Sequence, residues 1–166
     1  MKKIFLLGAF AFFGAVNAQS GFKLGANVGL PVGDAGDTSS VTAGVDLSYL
    51  WPAAADFNVG ISSGYNIWIG KDYDIPGYGT IKGTNVNMVP LAAHGQYRFT
   101  PEFSLGVDLG YAFLFVDGDS DGGFYYAPKA AYHFGPSEVN LSYRGISKDG
   151  ASVGSVNLGY AYSFGK

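Results

Sequence analysis

From Phe103 to Val116 the chain alternates without a break. Phe103, Leu105, Val107, Leu109, Tyr111, Phe113 and Phe115 share one parity, and Ser104, Gly106, Asp108, Gly110, Ala112 and Leu114 share the other. Successive side chains of an extended strand point to opposite faces, so seven large apolar groups stand on one side of this segment. A tilted strand of about 9 to 11 residues crosses a bilayer, and this run is long enough to do so. The segment before it repeats the pattern: Leu91, Ala93, Gly95, Tyr97 and Phe99 oppose Ala92, His94, Gln96 and Arg98, with Thr100-Pro101-Glu102 as the turn. Such a hairpin suits either a membrane barrel or a soluble sandwich, and the rest of the chain decides between them.

The first residues read as a secretory signal over residues 1–18: Lys2 and Lys3, an apolar run from Ile4 to Val16, and the small-x-small site Val16-Asn17-Ala18. The mature domain is then expected over residues 19–166, a length that fits one domain. With no cysteine, neither a disulfide framework nor a lipid-anchored cysteine is available. Glycine, at 26 of 166 residues, is about twice its usual share of ~7%, and no 3.6-residue periodicity recurs after the signal, which makes the domain all-β. Without the two leader lysines the chain carries 8 basic against 13 acidic residues. Nucleic acid, which is bound through basic patches, is excluded as a partner by this balance.

Eight amphipathic strands are predicted, at about 21–31, 41–51, 57–69, 85–99, 103–117, 124–134, 139–146 and 153–164. Long connections follow the first, third, fifth and seventh, and short ones follow the others. The fourth strand is expected to break parity between Asn85 and Pro90, with a bulge at Pro90. Every second strand ends in Tyr-x-aromatic: Tyr49-Leu50-Trp51, Tyr97-Arg98-Phe99, Tyr132-His133-Phe134 and Tyr162-Ser163-Phe164. Amphipathic rings favour the headgroup level, so four copies at one end of a sheet read as the aromatic girdle of a membrane barrel. A soluble sandwich has no reason to repeat it. The fold expected is therefore an eight-stranded antiparallel up-and-down transmembrane β-barrel, short turns facing the periplasm and long loops facing outward.

In signal, strand pattern and aromatic final strand the chain resembles the OmpA/OmpX-like superfamily of small outer-membrane β-barrel proteins of Gram-negative bacteria. The family commonly ends on an aromatic residue, whereas here Gly165 and Lys166 follow Phe164. The resemblance implies a monomer in the cell outer membrane, in contact with its lipid.

An eight-stranded barrel is just wide enough to be filled by side chains or to hold one small ligand. About five residues in from the short-turn end, Asp46, His94, Asp108, Lys129 and Arg144 fall at one predicted depth. Symmetry about Pro101 sets His94 opposite Asp108, and the same count across the turn from Phe134 to Val139 sets Lys129 opposite Arg144. Asp46 and Asp108, read as the interior acids, are expected to neutralise the two bases in a charged layer. Interior Lys23, Arg98, Trp68 and Tyr125 add to a filled lumen. A catalytic His–Asp pair is the rival reading, but no serine is placed beside it, so no enzymatic role is expected.

No cofactor motif is present beyond a half-match to a calcium loop. Asp117, Asp119 and Asp121 alternate as in D-x-D-x-D-G, giving a candidate weak calcium site, but Pro128 stands where the twelfth-position Glu belongs. The predicted outer connections carry eight aspartates, at 34, 37, 72, 74, 117, 119, 121 and 149, against Lys71, Lys82 and Lys148. Together with the aromatic loop around Tyr73 and Tyr78, these acidic loops are the expected contacts for surface ligands. The functional expectation is a structural or surface-interaction barrel with a lumen closed by charged side chains. The alternative is a narrow pore for small solutes.

Overall fold

The structure, a computed structural model, describes residues 21–75, 79–116 and 118–164, so the predicted signal lies outside the described residues. Eight long strands close on themselves: β1 (Phe22–Val32), β2 (Ser39–Ala54), β3 (Phe57–Gly70), β6 (Val86–Arg98), β7 (Phe103–Val116), β8 (Asp119–Phe134), β9 (Ser137–Lys148) and β10 (Ala151–Phe164). Each pairs antiparallel with the next in the chain, and β10 pairs with β1 from Phe22↔Phe164 to Val32↔Gly154, which leaves no free edge. A helical turn, α1 (Asp34–Thr38), lies between β1 and β2, and a small hairpin, β4 (Tyr73–Ile75) with β5 (Gly79–Ile81), lies between β3 and β6.

The barrel is inverted relative to a water-soluble protein. On its outside Leu109, Leu141 and Leu158 are 48%, 56% and 56% exposed, whereas inside Asn66, Ser142 and Asn157 are buried to 2% or less. Every strand contributes alternately to the two faces, and all seven odd-parity side chains of β7 from Phe103 to Phe115 point outward. An apolar belt of this extent, wrapped around a fully hydrogen-bonded cylinder, is a lipid-facing surface. The four Tyr-x-aromatic pairs lie at the short-turn end, each with its rings in contact: centroids are 5.7 Å apart for Tyr49 and Trp51, 5.1 Å for Tyr97 and Phe99, 6.2 Å for Tyr132 and Phe134, and 4.9 Å for Tyr162 and Phe164. A second aromatic band, which includes Tyr111, Phe113, Phe124, Tyr126 and Tyr143, lies toward the opposite end.

Many of the glycines have a packing explanation. A β-carbon at Gly44 would meet Asn66 Oδ1 at 2.2 Å, and one at Gly29 would meet Asn157 Oδ1 at 2.1 Å. Both are direct cross-strand partners, so an interior Asn lies flat over the neighbouring strand's glycine. Outside, the Tyr126 ring occupies the same place over Gly145, and the Tyr143 ring over Gly154.

Three features differ from the sequence expectation. The predicted bulge at Pro90 is absent: β6 pairs with β7 in one register from Asn87↔Phe115 to Arg98↔Ser104, and Met88 and Pro90 both turn inward. Proline's missing N–H instead interrupts pairing with β3 between Ser63↔Leu91 and Asn66↔Met88, without shifting it. Register irregularities fall in β2, between Ser39 and Val41 and between Pro52 and Ala54. The connections after β7 and β9 are not long loops. Val116 pairs with Asp119 and Lys148 with Ala151, so each connection is only two residues long, and the second is Asp149-Gly150. Positive φ at Asp149 (50°) and Gly150 (85°) is the backbone of a type I′ turn, which Asp-Gly favours.

Candidate functional site: the polar lumen

The side chains that face the lumen fall into three zones. Toward the α1 end Met88, Ala92, Ala112, Tyr125, Ala127 and Ile146 form one buried apolar cluster, with Leu114 and Val153 against it; Trp68 is buried nearby on β3, and its ladder partner Thr42 donates to Asn157 Oδ1 at 2.8 Å in a buried polar set at this end.

Below this zone the five predicted interior residues are drawn into two groups rather than one layer. Arg144 donates from Nη2 to Asp46 Oδ2 at 2.7 Å and from Nη1 to Asp46 Oδ1 at 3.1 Å, a bidentate pair, and Nη1 also donates to Asn66 Oδ1 at 2.9 Å. Asn27 adds a hydrogen bond to Asp46 Oδ2 at 2.9 Å. In the second group His94 and Asp108 are direct partners across the β6–β7 ladder, and His94 Nδ1 stands 2.5 Å from Asp108 Oδ1. Ser62 donates to the same carboxylate oxygen at 2.9 Å, and Lys129 Nζ approaches Asp108 Oδ2 to 4.0 Å.

The expectation that Lys129 faces Arg144 is corrected by the register: Lys129 stands opposite Ser142. Phe134 pairs with Ser137, so the chain reverses through Gly135 and Pro136 alone, and the symmetric centre lies one residue earlier than the longer turn implied. Arg144 consequently stands opposite Ser155 on β10 and reaches Asp46 across the barrel.

The third zone, near the short-turn end, was missed. Starting β9 at Ser137 turns Glu138 inward with Asn140, Ser142 and Arg144, so Asp46 and Asp108 are not the only interior acids. Lys23 Nζ donates to Glu138 Oε2 at 2.6 Å and to Gln96 Oε1 at 3.4 Å. Gln96 Nε2 donates to Ser104 Oγ at 2.7 Å, Ser104 Oγ lies 2.7 Å from His133 Nε2, and His133 Nδ1 lies 3.4 Å from Glu138 Oε2. The signal for this zone was the parity of Glu138 with Arg144, obscured by assigning Glu138 to the turn.

The candidate calcium residues are placed differently from a loop. Asp119 and Asp121 belong to β8, opposite Val116 and Leu114, and Lys148 Nζ is ion-paired with Asp121. Asp117 lies outside the described residues. Among the described residues no three His, Cys, Asp or Glu side chains converge as a metal site.

A closed eight-stranded barrel with an apolar exterior and a hydrogen-bonded polar interior defines a small transmembrane β-barrel of the outer-membrane kind. Solved structures share that fold at low sequence identity. Ail, the attachment invasion locus protein of Yersinia pestis, solved in complex with the heparin analogue sucrose octasulfate, is 17% identical with a TM-score of 0.57, over 87% of this chain and 97% of that one. The N-terminal β-barrel domain of Pseudomonas aeruginosa OprF is 16% identical with a TM-score of 0.57, over 87% and 98%. The outer membrane enzyme PagL is 16% identical with a TM-score of 0.57, over 84% and 98%. No family model matches the chain, and no curated protein matches it in sequence. One architecture thus holds an enzyme and a protein crystallised with a sulfated sugar, so function has to be argued from this chain's own residues.

Proposed function

We propose that this chain is an integral outer-membrane barrel with a structural or surface-contact role, whose lumen is shut to solutes. The observation that carries the reading is the stack of interior contacts: Arg144 with Asp46 and Asn66, Asp108 with Ser62, and Glu138 with Lys23 each link strands that are not ladder neighbours. Ion pairs this buried persist when their geometry is good and the remaining polar atoms are satisfied, which favours a fixed lining over mobile side chains along a pore.

A non-catalytic role fits the same contacts. Ser104, His133 and Glu138 follow one another in the order of a nucleophile, a base and an orienting carboxylate. They are, however, 3%, 9% and 3% exposed, Glu138 is committed to Lys23, and the adjacent space of about 10 Å³ holds no more than a water-sized body. That interior space leaves no room for an acyl substrate, and the relay serves to knit the short-turn end of the lumen.

Outside the membrane, the excess of aspartate over lysine in the connections favours cationic partners. A sulfated ligand such as the one bound to Ail would meet repulsion here. The closed lumen is tested by osmotic swelling of vesicles reconstituted with the protein. Swelling in arabinose is expected at the rate of protein-free vesicles, and porin-like swelling would replace this reading with the narrow pore.

A further inference from the structure

We propose that the lumen holds one small monovalent anion of chloride size, bound by the ammonium of Lys129. Three carboxylates point into the polar part of the barrel, Asp46, Asp108 and Glu138, and each is engaged: Asp46 by Arg144, Asp108 by His94 and Ser62, Glu138 by Lys23. Four permanent cations share that interior parity, Lys23, Arg98, Lys129 and Arg144, so the interior carries one excess positive charge even with both histidines neutral.

Lys129 is where that excess is least answered. Its ammonium makes no hydrogen bond among the described residues: Asp108 Oδ2 lies 4.0 Å away, beyond hydrogen-bond reach, and Glu138, the other carboxylate close enough to act on it, is held by Lys23, although the Lys129 side chain is only 17% exposed. Ser142, directly opposite Lys129, buries a hydroxyl with no partner among the described residues, and Arg98 buries an unpartnered Nε. Lys129 also borders the water-sized space described above, which is lined as well by Lys23, Ser48, Gln96 and Ser104.

Removing an ammonium from water without an acceptor is costly, and an anion seated in the space would supply both countercharge and acceptor. The size of the space restricts the ligand to a monatomic ion, with slight movement of the Lys129 side chain to admit chloride in place of water. Glu138, which also lines the space, is turned to Lys23 and His133 and so presents a neutralised edge. The site does not require the lumen to be impermeable, because an open lumen would present the same ammonium. Its failure and that of the closed-lumen reading are therefore distinguishable.

The experiment is ³⁵Cl NMR on the folded protein in a zwitterionic detergent, with gluconate holding ionic strength constant. Excess chloride linewidth is expected in the native chain, reversed by bromide, retained in Lys148→Met and reduced to the protein-free level in Lys129→Met. No excess linewidth in the native chain, or equal linewidth in Lys129→Met, would overturn the site. Should Lys129→Met not fold, crystals of the native chain grown in bromide decide the matter. An anomalous peak within hydrogen-bond distance of Lys129 Nζ supports the site, and a water there with no anomalous signal overturns it.

Discussion

Leu109→Arg is expected to destabilise the folded barrel by about 2 to 4 kcal/mol, the cost of an arginine on the lipid face near the bilayer midplane. Leu109 lies at the centre of the fourteen-residue β7, and its side chain is 48% exposed on the outer face. A guanidinium there has to reach past several apolar neighbours to the headgroups or draw water into the membrane. The measurement is urea-dependent folding into lipid vesicles, read as the fraction of chain with folded mobility on an unheated gel. The inward Ser48→Thr change, beside the water-sized space, is expected to shift the midpoint little. Equal effects at the two positions would mean that the faces of the barrel have been assigned wrongly.

Asp108→Ala is expected to cost about 3 to 5 kcal/mol, the range for breaking a buried ion pair by removing one partner. The carboxylate is 5% exposed and serves three groups, so its loss leaves Ser62 without an acceptor, His94 without its 2.5 Å partner and Lys129 without its nearest countercharge. Adding Lys129→Met to Asp108→Ala should recover part of the loss, because the unpaired ammonium disappears with it. A double variant no more stable than Asp108→Ala would mean that Lys129 is solvated independently of Asp108. The same vesicle-folding titration reads both variants.

Strand faces were legible because period-two alternation is dense on the lipid side: a one-residue error in β7 would have turned seven apolar side chains inward. The girdle was legible for a related reason, since Tyr-x-aromatic recurs at the end of every second strand. Cross-strand partners were harder, because they depend on the width of each turn. The Thr100–Glu102 turn is symmetric about Pro101, so equal counting from that residue sets His94 against Asp108, as the register does. At the next short turn the count assumed a wider reversal, while the chain needs only Gly135 and Pro136, with Gly135 at φ 63°. That difference moves Lys129 by two residues, from Arg144 to Ser142, and turns Glu138 from a turn residue into an interior acid. The Asp-Gly pairs at 117–118 and 149–150 carried the hairpin signal, but read within longer polar runs they passed for loop. Contacts across the lumen, such as Arg144 with Asp46 at 98 residues' separation, leave no mark in any local pattern. They depend on strand tilt and stagger around the closed wall.

That a membrane-spanning barrel is shut by its own side chains is a claim that single-channel recording in planar bilayers can decide. The refolded native chain is expected to insert without discrete conductance steps, whereas Asp108→Ala, with one interior contact removed, is expected to show brief openings. Stable conductance steps from the native chain would contradict the claim.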